Sequence, residues 1–96
     1  QMLISKGFSV GEVVTLKLTS GEELVARLVD DGSLYYILEK TKVVGMGPNG
    51  PALMDYLFTV SPNAEIKLSK ATVVVAEPTE KVFADQYRQA TTGIAL

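Results

Sequence analysis

The chain has 96 residues, 47% of them apolar and 21% charged, with a formal net charge of -2 and neither cysteine nor histidine. That size fits one small domain, 1–96, burying roughly 60% of its unfolded surface, and the missing residue types exclude disulfides, thiolate metal sites, cysteine nucleophiles and the commonest general base. No basic field advertises a polyanion partner, no apolar run reaches the ~20 residues of a membrane helix, and "QMLISKGF" lacks a signal-peptide core, so a reducing, cytoplasmic compartment is expected.

Strand patterns come first along the chain. In "EVVTLKLTS", Val14, Leu16 and Leu18 share one face and Thr15, Lys17 and Thr19 the other, which predicts a half-buried strand. Gly21 supplies a turn. "ELVARLVDD" alternates again, with Leu24, Ala26 and Leu28 opposite Val25, Arg27 and Val29. "DDG" marks a tight turn before the aromatic and β-branched run from Leu34 to about Val44. "ALMDYLFTV" sets Ala52, Met54, Tyr56, Phe58 and Val60 on one face and predicts a fourth strand over 52–60. "ATVVVA", 71–76, is apolar on both faces and needs cover on both sides.

The period then changes. Phe83, Tyr87, Ala90 and Ile94 recur at helical spacing, with Thr79 as a candidate N-cap and Gly93 at a C′ position. One amphipathic helix over about 79–92 is predicted, after strands spanning about 12–76. The fold class is mainly β: a small, strongly bent, five-stranded antiparallel barrel with one C-terminal helix.

"GMGPNG", residues 45–50, matches G-x-G-x-x-G. A dinucleotide site needs a helix directly after that motif. Here an alternating strand pattern follows, and Pro48 removes an N–H that a phosphate cradle would use. The motif therefore reads as a hairpin tip. Asp30 and Asp31 have no further ligands spaced around them and read as a solvated turn. No serine lies in a nucleophile elbow, and no histidine exists to activate one. No enzymatic activity, cofactor or metal is expected. Tyr35, Tyr36, Tyr56 and Phe58 could stack bases, although strand alternation sends one of each adjacent pair inward.

The segment "VVTLKLTSGEELVARLVDDGSLYYILEKTKVV" resembles the first motif of the Sm/LSm family. Leu18-Thr19-Ser20-Gly21 resembles its first turn. Asp31-Gly32-Ser33-Leu34-Tyr35 falls where the family has Asp-x-x-Met-Asn, and Tyr36-Ile37-Leu38-Glu39 falls on Leu-Val-Leu-Glu. Ile66-Lys67-Leu68 echoes the second motif, Ile-Arg-Gly, ahead of the strand Thr72 to Val75. The family usually opens with a helix; here the helix is read at the C-terminus. Tyr35 replaces the base-contacting Asn, Ser33 takes the stacking position, and Lys67-Leu68 replaces Arg-Gly. "YRQATTGIAL" also resembles the ends of short proteins of marine tailed phages, which would place the chain in a host-cell cytoplasm.

The resemblance implies an Sm-like (SH3-like) barrel that forms a homo-oligomeric ring, with strands 52–60 and 71–76 pairing between protomers. It also implies single-stranded RNA as a partner, held near the pore by Asp31, Ser33, Tyr35, Lys67, Ser69 and Lys70. The alternative is a non-catalytic assembly or protein-interaction module that binds no nucleic acid. The acidic balance and the missing Asn and Arg favour that alternative.

Overall fold

The computed structural model describes residues 8–92. Six strands and one C-terminal α-helix are present among them: β1 Val13–Leu18, β2 Glu23–Asp31, β3 Tyr35–Gly47, β4 Gly50–Asp55, β5 Ile66–Ser69, β6 Val73–Pro78 and α1 Lys81–Thr92. A 3₁₀ turn, Lys70–Thr72, joins β5 to β6. All pairings are antiparallel, in the order β4-β3-β2-β1-β6, with β5 also on β3. The sheet does not close, and it holds one strand more than the sequence pattern predicts.

The long strand β3 organises this arrangement. Its first residues pair with β5, Tyr35 opposite Ser69 and Leu38 opposite Ile66. Its later residues, Lys42 to Gly47, pair with β4. Between the two lies Lys40, with φ 52, and the β2–β3 register shifts there, between Val25 and Arg27. A second shift falls between Leu28 and Asp30. Each extra residue bends the strand and steepens its twist, so the sheet curls around its apolar face.

That face is the main core. Val14, Leu16, Leu24, Ala26, Leu28 and Leu38 are fully enclosed, with Leu18 and Tyr36 beside them. The expected alternation in the first two strands is met by these residues. Each buried leucine contributes roughly 1.5–3 kcal/mol relative to exposure. On the outer face a smaller cluster joins Val13 and Val25 to Ala84 and Tyr87 of α1. The helix thus covers the back of the sheet rather than the mouth of a barrel.

Several expectations change. The predicted strand 52–60 stops at Asp55, because Lys42, opposite Asp55, is the last β3 residue on that edge before the bend. Tyr56 still packs against the main core, but Phe58 is 90% exposed. The run 71–76 begins as the 3₁₀ turn and becomes strand only at Val73, since the chain must cross from the β3 side to the β1 edge. The helix starts at Lys81, and the Thr79 hydroxyl pairs with Thr15 Oγ1 at 2.8 Å instead of capping it. The buried helix residues are Ala84 and Tyr87, while Phe83 and Ala90 are exposed. Ile94 and Gly93 lie outside the described residues.

"GMGPNG" is the tip of the β3–β4 hairpin, as expected: Gly47 pairs with Gly50 around Pro48-Asn49. Gly50 has φ 111, a conformation open to glycine and strained for other residues.

Candidate nucleic-acid interface

All six residues that the sequence singles out gather at one corner, where the β2–β3 turn meets β5 and the 3₁₀ turn. Asp31 ends β2, Ser33 lies in the turn, Tyr35 opens β3, Lys67 and Ser69 belong to β5, and Lys70 begins the 3₁₀ turn. The turn is tight. The Gly32 N–H donates to Tyr35 O at 3.0 Å, and a Cβ on Gly32 would lie 3.1 Å from that same oxygen. The Lys70 N–H donates to Leu34 O at 2.9 Å and ties the turn to β5.

The six side chains do different things there. Lys70 Nζ donates to Asp31 Oδ1 at 2.6 Å and sits 4.6 Å from the Tyr36 ring centroid. The other Asp31 oxygen accepts from the Phe8 N–H at 3.4 Å. Asp31 and Lys70 therefore neutralise and position each other. Ser69 Oγ accepts from the Ala71 N–H at 3.2 Å, which commits its hydroxyl to the 3₁₀ turn. What faces solvent is Ser33, Tyr35 and Lys67.

Tyr35 and Lys67 form a diagonal cross-strand pair. Tyr35 is opposite Ser69 and Ile37 opposite Lys67, so both side chains leave the sheet on the face away from the main core. Lys67 Nζ lies 5.0 Å from the Tyr35 ring centroid. Such a cation–π contact holds the ring while leaving its other face open. Leu34, next to Tyr35 in the chain, is 70% exposed. In the sequence Leu34 only opens the aromatic and β-branched run to about Val44, and that place at the start of the run is the one available signal. Asp30, opposite Ile37, adds a carboxylate to the same neighbourhood.

No group of three or more Asp or Glu side chains suited to a metal ion occurs among the described residues. No helix among them is long and apolar enough to cross a membrane. Among the described residues Tyr87 is the one side chain with a strongly displaced pKa. Burial pushes its phenol up from an ordinary 10.0 to about 12. It points from the buried face of α1 to the sheet, donating to Lys40 O at 2.7 Å and Glu39 O at 3.2 Å, and serves the fold. A comparison with protein-family models finds no match, and a search among curated proteins finds none either.

Proposed function

We propose that the protein is a non-catalytic, Sm-like RNA-binding protein that assembles as a homo-oligomeric ring and contacts single strands through the Tyr35–Lys67 corner. The observation that carries this reading is the pairing of an exposed aromatic ring with an ammonium group on adjacent strands. Stacking is indifferent to base identity, and the ammonium meets phosphate. The strand order supports an Sm-like arrangement too. β6-β1-β2-β3-β5, with the short 3₁₀ link between β5 and β6, is a five-stranded bent sheet to which the β3–β4 hairpin is added.

The open edges support assembly. β6 has no strand partner beyond β1 among the described residues, and it exposes Val74 and Val75. An unpaired apolar edge is an aggregation hazard unless another chain covers it. Head-to-tail pairing with a free edge of the next copy would close a ring and repeat one weak RNA contact per subunit. Val74→Pro removes an N–H from that strand. By light scattering, wild type should exceed the 10.3 kDa chain mass several-fold and the variant should not. A monomeric wild type at micromolar concentration refutes the assembly.

Fluorescence anisotropy with labelled oligo-U and oligo-A tests the RNA contact. Tyr35→Ala should weaken binding by roughly 1–3 kcal/mol per stacked base without changing the salt slope. Lys67→Ala should flatten that slope by about 0.7 per phosphate released. If wild type binds neither oligonucleotide at low salt, the protein-interaction reading replaces this one.

A further inference from the structure

A second surface lies at the opposite end of β2 from the RNA corner. A groove of about 310 Å³ runs between the N-terminal half of α1 and the outer face of the sheet. Val25, Val44 and Leu53 form its floor, and Phe83 one wall. Met46, 80% exposed opposite Pro51, and Val75, opposite Lys17, continue the apolar surface on the same face.

The rim is acidic. Glu23, Glu77 and Glu80 line the groove, and no lysine or arginine does. No ion pair or side-chain hydrogen bond holds any of these three carboxylates among the described residues. Lys17 stands opposite Glu23 in the β1–β2 register but is not in ion-pair contact with it. Elsewhere Arg27 pairs with Glu39, Lys42 with Asp55, Lys70 with Asp31, and Asp85 with both Lys81 and Arg88. What sets these three apart is that they converge on one apolar floor.

We propose that this groove docks a basic, amphipathic segment of a partner protein, apolar side chains on the floor and Lys or Arg at the rim. Charge complementarity selects that occupant. A second copy of this chain, with net charge -2, would bring further carboxylates against these. A nucleic acid would be repelled outright. A segment with apolar anchors at helical spacing and flanking cations satisfies both features.

The test uses two synthetic 14-residue amphipathic peptides, one built of Leu and Lys and one with every Lys replaced by Glu. The Leu/Lys peptide, titrated into ¹⁵N-labelled full-length protein, should shift amide signals of Thr15, Val25, Val44, Leu53 and Phe83. The triple variant Glu23→Gln, Glu77→Gln, Glu80→Gln should bind it at least tenfold more weakly. A control triple of equal charge change, Glu22→Gln, Asp30→Asn, Glu65→Gln, should bind within twofold of wild type. The Leu/Glu peptide should not bind. The proposal is overturned if both triples weaken binding equally, if the shifts fall outside the groove, or if the Leu/Glu peptide binds as well. A groove triple that assembles to a higher mass than wild type by light scattering also overturns it, because the groove would then be a self-association surface. The shift map of the wild type decides the matter even where a variant folds poorly, and RNA binding at the other corner plays no part in the readout.

Discussion

Replacing Tyr87 by Phe removes one oxygen atom from the interface between α1 and the sheet. Tyr87 is 1% exposed, and its hydroxyl donates to Lys40 O at 2.7 Å and Glu39 O at 3.2 Å. Those carbonyls belong to the bend in β3, where Lys40 adopts φ 52 and the ladder to β2 shifts register. Loss of the donor costs the net worth of a hydrogen bond, about 0.5–1.5 kcal/mol. Leaving a buried carbonyl unpartnered raises the total to about 1–3 kcal/mol. For a domain of this size each kcal/mol lowers Tm by roughly 4–8 °C. Urea unfolding followed by far-UV circular dichroism should show a lower midpoint at unchanged m-value.

The same residue sets an alkaline limit. Burial raises its phenol from 10.0 to about 12, with Glu39 adding to the rise and Arg27 opposing it. Because the folded value is the higher one, the stabilisation is fully present below pH 10 and is lost as pH climbs towards 12. Tyr87→Phe lacks that loss, so its deficit against wild type at pH 8 should narrow above pH 10. A variant within 0.5 kcal/mol of wild type at pH 8, with a parallel alkaline limb, would refute the idea that this hydroxyl anchors the bend.

Lys40→Gly should be neutral or stabilising by up to about 1 kcal/mol by urea unfolding, because glycine accepts φ 52 without strain. Gly50→Ala should cost about 1 kcal/mol or more in the same assay, since nothing crowds its Cβ position and the whole penalty lies in φ 111. Asp31→Asn breaks the ion pair to Lys70, whose partners keep 21% and 31% side-chain exposure, and should cost about 0.5–1 kcal/mol, less at 1 M salt.

The strands that the sequence revealed are those whose two faces meet different surroundings. Leu24, Ala26 and Leu28 enter the main core while Val25 faces α1, and period two records that contrast directly. The hairpin at Pro48-Asn49-Gly50 was legible because turn chemistry is local. β5 was not: "IKLS" is four residues with two apolar positions, and only pairing with β3 makes it a strand. Nor was the end of β4, since Tyr56, Phe58 and Val60 continue an alternation whose partner has run out. On the helix the expected stripe holds at Tyr87 but not at Phe83, because the sheet admits the small Ala84 there. At the corner, the six residues that the family resemblance implies lie close together, but their division of labour is non-local. Lys70 reaches Asp31 across 39 positions, and no window of sequence shows that this lysine is already engaged.

That division bears on how an acidic chain could hold a polyanion. Of the two lysines assigned to the corner, one is neutralised by Asp31, and Asp30 lies near the other. One such site offers little Coulombic attraction, so affinity must come from stacking on Tyr35 and from repetition around an assembly. Of the groove carboxylates, Glu23 sits at the far end of β2, eight residue steps from Asp31, or roughly 26 Å at the rise of an extended strand. The Debye length near physiological salt is about 8 Å. Over that span the acidic groove would neither repel a polyanion at the corner nor lose its own attraction for cations. Opposite preferences can therefore coexist on one small sheet, provided the contacts at each end are short-ranged.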